Sequence, residues 1–409
     1  MRLLFSLWPL LAAAAILLGG NGLQTTLLAV RGELEGFSPT VIGLFLSGYY
    51  AGMIAGCRVV PAFVRDVGHI RAFTAFASIA SAVALAHALL VLPWFWIVLR
   101  IVTGFSFAAL QMILESWLNE RSTNATRGQV LSVYRIVDFT AVTALQAVFG
   151  LFDPTGFLLF ALISIGLSLS LVPVALSRTE APLPPASAKL DLRRLWRVSP
   201  VAALGAGMIG LSASAYWSMS PLFVSGLGYD ATAIGLFIGA IVFGGAIAQW
   251  PVGWLSDRID RRLVLVGCTV GAAASALAMP GFGAQSAEAL VGAAFVFGLF
   301  ALPCYGIIVA HANDHAEPGG ALAVSGGLLL LFGLVAVAGP VLAAQVMRLF
   351  GSEALFVWIG AVYAAMTVLT VIRIARRAPP EATAPFVPVP RTTPAAYALD
   401  PRTEPQSPA

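Results

Sequence analysis

Apolar residues in this chain come in runs of about twenty, and the polar residues gather in the short gaps between them. Twelve such runs can be counted, over residues 8–30, 41–64, 72–92, 94–118, 130–151, 157–175, 201–224, 233–255, 263–282, 287–310, 321–347 and 354–374. At ~1.5 Å per residue, a helix of this length crosses a hydrocarbon core about 30 Å thick. The pattern therefore predicts an all-α membrane protein of twelve transmembrane helices, with the lipid bilayer as its surroundings.

The gaps carry an orienting signal. Arg65 and Arg71, Arg121 and Arg127, Arg193, Arg194 and Arg197, Arg258, Arg261 and Arg262, and Arg373, Arg376 and Arg377 fall in alternate connections. The opposite connections hold little beyond Arg31 and Arg348. Short loops kept in the cytoplasm retain Lys and Arg, so both termini are expected there, in a multi-pass protein of a bacterial inner membrane. The opening Arg2 and its apolar run imitate a signal peptide. No small-residue cleavage site follows, and more spans come behind, so the run is read as a retained first helix.

The chain repeats itself. Ser38-Pro39-Thr40-Val41-Ile42-Gly43-Leu44-Phe45 returns as Asp230-Ala231-Thr232-Ala233-Ile234-Gly235-Leu236-Phe237, each opening the second span of its half. Trp117-Leu118-Asn119-Glu120-Arg121 returns as His311-Ala312-Asn313-Asp314-His315, each closing a fourth span. Two parallel six-helix repeats follow: an N-terminal half at 1–176 and a C-terminal half at 200–376. A Pro-, Arg- and Asp-rich cytoplasmic linker at 177–199 joins them, and the Pro/Thr/Ala-rich tail at 377–409 is expected to be disordered in the cytoplasm. Parallel repeats suit a carrier, because the cleft between them can open to either side.

Composition narrows the function. A chain that is 59% hydrophobic and 10% charged lies far from soluble usage. Its net charge of +4 comes from arginines scattered between apolar runs, which make no stripe for nucleic acid. Ala188 precedes the sole lysine, Lys189, so the chain has no glycine-lysine phosphate loop and no ATP motor of its own. Cys57, Cys268 and Cys304 lack disulfide or metal spacing and read as small buried hydrophobes. His311 and His315 have the four-residue spacing of a zinc pair but lie at a loop without the accompanying glutamate, so no metal is expected. Gly19, Gly20 and Gly22, with Gly205, Gly207 and Gly210, suit close helix crossings. Trp94 and Trp96, at the start of the fourth span, read as an interfacial belt.

The most specific motif is Gly253-Trp254-Leu255-Ser256-Asp257-Arg258-Ile259-Asp260-Arg261-Arg262, in the turn between spans eight and nine. It resembles the Gly-x-x-x-Asp-Arg-x-Gly-Arg-Arg loop of the major facilitator superfamily, with Asp260 at the second glycine. The matching first-half loop, Arg65-Asp66-Val67-Gly68-His69-Ile70-Arg71, is degenerate, its acid and base exchanged. Arg100-Ile101-Val102-Thr103-Gly104 in span four resembles the Arg-x-x-x-Gly signature of the same superfamily. Glu115-Ser116-Trp117-Leu118-Asn119 is similar to a bacterial branch of poorly characterised carriers, some assigned to riboflavin uptake. The resemblance implies a secondary transporter that works by alternating access, with no enzyme activity and no cofactor. It gives Asp257, Arg258 and Arg262 a gating role, as a latch on the cytoplasmic side. In this superfamily the first, fourth, seventh and tenth helices line the cavity, which points to Gln24, Gln111, Trp217 and Tyr305.

Charge inside a span points to the same region. A charged side chain near the bilayer centre costs roughly 3 kcal/mol, so it persists where it is paired, watered or useful. The cases within the predicted spans are Arg58, Arg100, Glu115, Arg135 and Asp138. Arg135 and Asp138, three apart, share a helix face. Spans four and five run antiparallel, which puts Arg100 ~9 Å from Asp138 in depth at ~1.5 Å rise per residue. One reading places Arg100, Arg135 and Asp138 in the substrate cavity, with Asp138 or Glu115 taking a coupling proton. The other makes them a buried ion pair that holds the two spans together. Arginines outnumber acids here, and Trp217 and Tyr305 offer stacking faces, so the expected substrate is a neutral or weakly anionic organic molecule with an aromatic part. Riboflavin uptake leads, multidrug or metabolite efflux is the alternative, and a membrane sensor or intramembrane enzyme is the reading of another class. The carrier is expected to be a monomer.

Overall fold

The computed structural model describes residues 2–123, 126–175, 191–317, 320–376 and 386–400. Nearly every apolar run is a helix. The first half holds α1 (Arg2–Leu34), α2 (Pro39–Val67), α3 (His69–Leu89), α4 (Pro93–Glu120), α5 (Arg127–Ala147), α6 (Leu158–Leu169) and α7 (Leu171–Ala175). A short helix α8 (Leu192–Val198) in the connecting stretch leads at a 119° bend into α9 (Pro200–Gly226). Then follow α10 (Ala231–Ser256), α11 (Arg261–Gly283), α12 (Ala287–Ala301) with α13 (Cys304–Asn313), α14 (Ala321–Ala336) with α15 (Ala338–Phe350), and α16 (Ala354–Arg376). Among the described residues, ten helical stretches are long and apolar enough to cross a membrane, α8 with α9 makes up to eleven, and the shorter apolar stretch Leu158–Val174 stands where the sixth apolar run was read.

The two halves repeat in their packing. In the first, α2 lies on α4, α1 on α5, and α3 on α6; in the second, α10 lies on α12, α9 on α14, and α11 on α16. The sequence echo that opens spans two and eight has a local cause in helix capping. Ser38 accepts the Val41 backbone N–H at 3.4 Å and Asp230 accepts that of Ala233 at 3.0 Å, so each side chain satisfies an orphan donor of the helix it precedes. The α2–α4 crossing is closest at Gly52 and Gly104, where a methyl group would run into the carbonyl oxygens of Ile101 and Tyr49.

The halves meet directly at the arginine-poor face. There α5 packs on α10 and α2 on α15, and the Gln345 side chain donates to Thr40 Oγ1 at 3.0 Å. At the arginine-rich face a 3₁₀ turn, Pro394–Leu399, stands between α4 and α5 on one side and α14 on the other.

Two expectations are corrected. Residues 386–400, placed by composition in a disordered tail, are packed into the bundle, with Ala396, Tyr397 and Leu399 fully buried. Partners far back in the chain hold them, which composition cannot register. Residues 377–385 and 401–409 lie outside the described residues, as do 177–190 of the expected linker. Trp96 does not belong to an interfacial belt. It is fully buried, donates its indole N–H to the His87 and Leu90 carbonyls at 3.1 Å each, and fixes the α3–α4 turn; Trp94, 62% exposed, keeps the belt position.

Candidate functional site

Midway through the bundle the helices enclose a cavity of ≈ 190 Å³. On α1, Asn21 and Thr25 are four apart and share a face that lines it. Tyr49 and Tyr50 enter from α2, Arg100 and Gln111 from α4, Arg135, Asp138 and Phe139 from α5, Trp217 from α9 and Phe332 from α14. Helix faces of both halves therefore form the wall.

Arg100 is 1% exposed. Its guanidinium lies over the Tyr49 ring, 4.7 Å from the centroid, and one Nη donates to Thr25 Oγ1 at 3.3 Å. Tyr49 is fixed in turn, its hydroxyl accepting from Asn21 Nδ2 at 3.0 Å. Arg100 Nε and the other Nη are buried without an acceptor. Arg135 and Asp138 are paired at 2.5 Å, and Phe139 lies under the Arg135 guanidinium at 4.3 Å. The expected approach of Arg100 to Asp138 is thus replaced: Asp138 takes its own-helix arginine, and Arg100 turns to α1 and α2. Nearby, Gln146 donates to Thr26 Oγ1 at 2.9 Å and ties α5 to α1.

Of the residues expected to bind substrate, Arg100, Gln111, Arg135, Asp138 and Trp217 line this cavity. Gln24 does not. It falls off the face shared by Asn21 and Thr25, is fully buried, and has neither amide atom bonded. Tyr305 is also outside the wall. Its hydroxyl is bonded to that of Tyr397 at 2.7 Å, and its ring meets Phe332 edge-on at 5.4 Å, so the chain's C-terminal segment covers it.

The sequence profile of the Major Facilitator Superfamily matches residues 202–398. The uncharacterized MFS-type transporter YcaD of Escherichia coli is 25% identical over 358 residues, covering 85% of this chain and 92% of that protein. Among solved structures, the nucleoside transporter NupG aligns with a TM-score of 0.75 at 12% identity, over 91% of this chain and 99% of that one. A bacterial homologue of the human lysosomal transporter Spinster, in an inward-facing occupied conformation, aligns at 0.72 with 13% identity, over 91% and 97%. The chain is thus similar to the major facilitator superfamily, by a family match confined to its second half and by relatives that align along most of its length. It is a multi-pass membrane transporter of a small molecule, and the relatives and neighbours named above are transporters, not enzymes.

The superfamily loop at 253–262 is placed differently from the expected set. Asp257 pairs with Arg261 at 3.2 Å, and Arg261, 1% exposed at its side chain, is held by the fully buried Asp314 at 2.6 Å and donates to Ser256 Oγ at 3.1 Å. Arg258 is exposed and lies over the Trp254 ring at 3.7 Å. Arg262 pairs with Asp260 at 2.7 Å. Burial draws the Asp260 carboxyl upward, but hydrogen bonds from the Arg262 side chain and backbone outweigh it and hold the group below its ordinary range. That contribution is present above the usual carboxylate range and fades as pH falls through the lowered value. Sequence reasoning missed Arg261 and Asp314 as partners, although Asp314 lies in the echo that ends span ten.

Removing one member of a buried ion pair leaves the other charge uncompensated, at about 3–5 kcal/mol. Asp314→Ala is therefore expected to lower thermal stability in detergent by that amount. Arg258→Ala, which loses an exposed stack, is expected to cost about 1 kcal/mol or less. Equal losses in the two variants would contradict this assignment of the loop's charges.

Proposed function

We propose that this transporter moves a small organic solute with an anionic or electron-rich group and a flat ring, by alternating access between the halves 1–176 and 200–376. Arg100 carries the reading: a buried guanidinium at the cavity wall, with Nε and one Nη lacking an acceptor, suits a carboxylate, phosphate or carbonyl group better than an apolar one. Trp217 offers a stacking face and Gln111 an amide donor and acceptor. Asp138, partnered by Arg135, takes the coupling proton. The arginine-rich face is the cytoplasmic one in a bacterial inner membrane, the carrier is a monomer, and Asp257 with Arg261 and Asp314 forms the cytoplasmic latch, with Arg258 and Arg262 flanking it.

Riboflavin uptake is the first specific case, supported by the branch resemblance around Glu115. NupG is a nucleoside transporter, and nucleosides share riboflavin's design of a flat heterocycle with a hydroxylated chain, so they form the second arm of the test. The purified protein is heated in detergent with riboflavin, with nucleosides and with simple aromatic carboxylates. A ligand at a hundred times its Kd adds about 2.7 kcal/mol of apparent stability. Stabilisation by riboflavin, followed by its accumulation in sealed proteoliposomes under an imposed proton gradient, is the expected result. Stabilisation only by another class discards the vitamin, and export instead of import reverses the direction.

A further inference from the structure

We infer that the arginine-rich mouth of the cavity is a peptide-binding site, and that its occupant is the chain's own segment 386–400, a tethered plug that must leave before solute can pass. The inference rests on the carrier reading only for its consequence; the site itself stands on geometry. Contacts to both halves hold the segment. In the second half, the Phe386 backbone N–H donates to Asp257 Oδ1 at 2.7 Å, the Tyr397 and Tyr305 hydroxyls are bonded at 2.7 Å, and the Arg391 guanidinium lies 5.6 Å from the Phe332 centroid. In the first half, the Thr392 and Thr393 hydroxyls donate to the two oxygens of Glu115.

The receiving surface is built for it. The Phe386 ring lies against Gly253 and Gly306, where any side chain would collide with it; at Gly306 an added methyl would come within 2.9 Å of the ring. Glu115 is fully buried, and its donors are the Tyr134 hydroxyl at 3.2 Å, the two threonine hydroxyls and the Ala396 backbone N–H. Three of the four groups that satisfy this carboxylate thus come from the segment. A buried carboxylate without donors is costly, so departure of the segment must admit water to Glu115, which is what opening the mouth means. Arg391 and Thr392 also form part of the cavity wall itself. The segment therefore competes with solute for space, and Arg391 adds a third cation beside Arg100 and Arg135.

The segment's ligand chemistry is an aromatic residue followed by arginine and paired hydroxyls. Its affinity is set largely by the hydroxyl–carboxylate bonds, each to a charged group and worth on the order of tenfold in occupancy. The test uses the full chain in detergent, carrying Thr392→Val and Thr393→Val together, and compares amide hydrogen exchange of 386–400 with that of the wild type. The expected result is protection in the wild type and exchange at least about tenfold faster in the double variant. A second measurement follows labelling of Gln111→Cys by a membrane-impermeant maleimide from the arginine-rich side. It should rise by a similar factor with the double substitution and with a chain ended at residue 385, each compared with its parent lacking the Gln111 change. Free exchange of 386–400 in the wild type overturns the site. Protection in the wild type with labelling unchanged in both variants overturns the plug. Neither readout needs a transported solute, so failure of the carrier reading and failure of this one are separable.

Discussion

Arg100→Gln is expected to abolish high-affinity solute binding while leaving the protein as stable as the wild type or more so. The two effects have one source. The Arg100 guanidinium is buried, with a threonine hydroxyl and the face of Tyr49 as its partners, so its desolvation is poorly compensated. Replacing it with a neutral amide removes that cost. When a solute anion is bound, the same change deletes one member of a buried, hydrogen-bonded charge pair, which costs about 2–5 kcal/mol, or roughly 30-fold to several thousandfold in Kd. Arg100→Lys keeps the charge but loses the planar fork, and should retain part of the affinity. Asp138→Asn is expected to behave in the opposite way on stability, because it strands Arg135 without the partner it has at 2.5 Å. The check is ligand-dependent and ligand-free melting of each variant, with the solute that stabilises the wild type. Normal binding by an Arg100→Gln protein that has lost stability would make Arg100 a structural residue and remove it from the cavity's chemistry.

How much of this was legible beforehand varies with the range of the interaction. The spans follow from composition within some twenty residues, and the Ser38 and Asp230 caps follow from a single turn, so both can be read directly. The Arg135–Asp138 pair is also local, three residues apart on one helix. The partner of Arg100 is not: Thr25 lies 75 positions away, and depth along antiparallel helices says nothing about which way a long side chain turns. Tyr305 and Gln24 were placed in the cavity by helix number, but helix number does not fix a helix face. The largest miss is 386–400. Val387, Val389 and Ala395–Leu399 read as low-complexity tail, yet their hold depends on Glu115, 277 positions before Thr392. No local rule reports a pairing over that distance. The clue was Glu115 itself, an acid in an apolar span with no base three or four residues away on its helix.

Gly235→Ala is expected to leave the fold intact and shift the carrier toward the state open at the arginine-poor face. The reason is where its missing side chain would go. A methyl at Gly235, on α10, would meet the Gln146 carbonyl of α5, and one at Gly43, on α2, would come within 2.7 Å of the Pro340 carbonyl of α15. Both contacts join opposite halves and exist only while that face is shut. Gly52 and Gly104 are equally crowded, but their neighbours lie in the same half, in the α2–α4 crossing that every state must keep. Overpacking costs typically about 1–3 kcal/mol. At Gly235 that penalty falls on one conformation alone and moves the equilibrium by about ten- to a hundredfold; at Gly52 it falls on the folded protein. Spin labels at Leu34 and Phe350, 56% and 76% exposed near the end of α1 and at the end of α15, report the separation across this face. Gly235→Ala should lengthen the measured distance with little change in melting temperature, and Gly52→Ala should lower the melting temperature with the distance unchanged. The reverse pattern would mean that the arginine-poor face is not a gate.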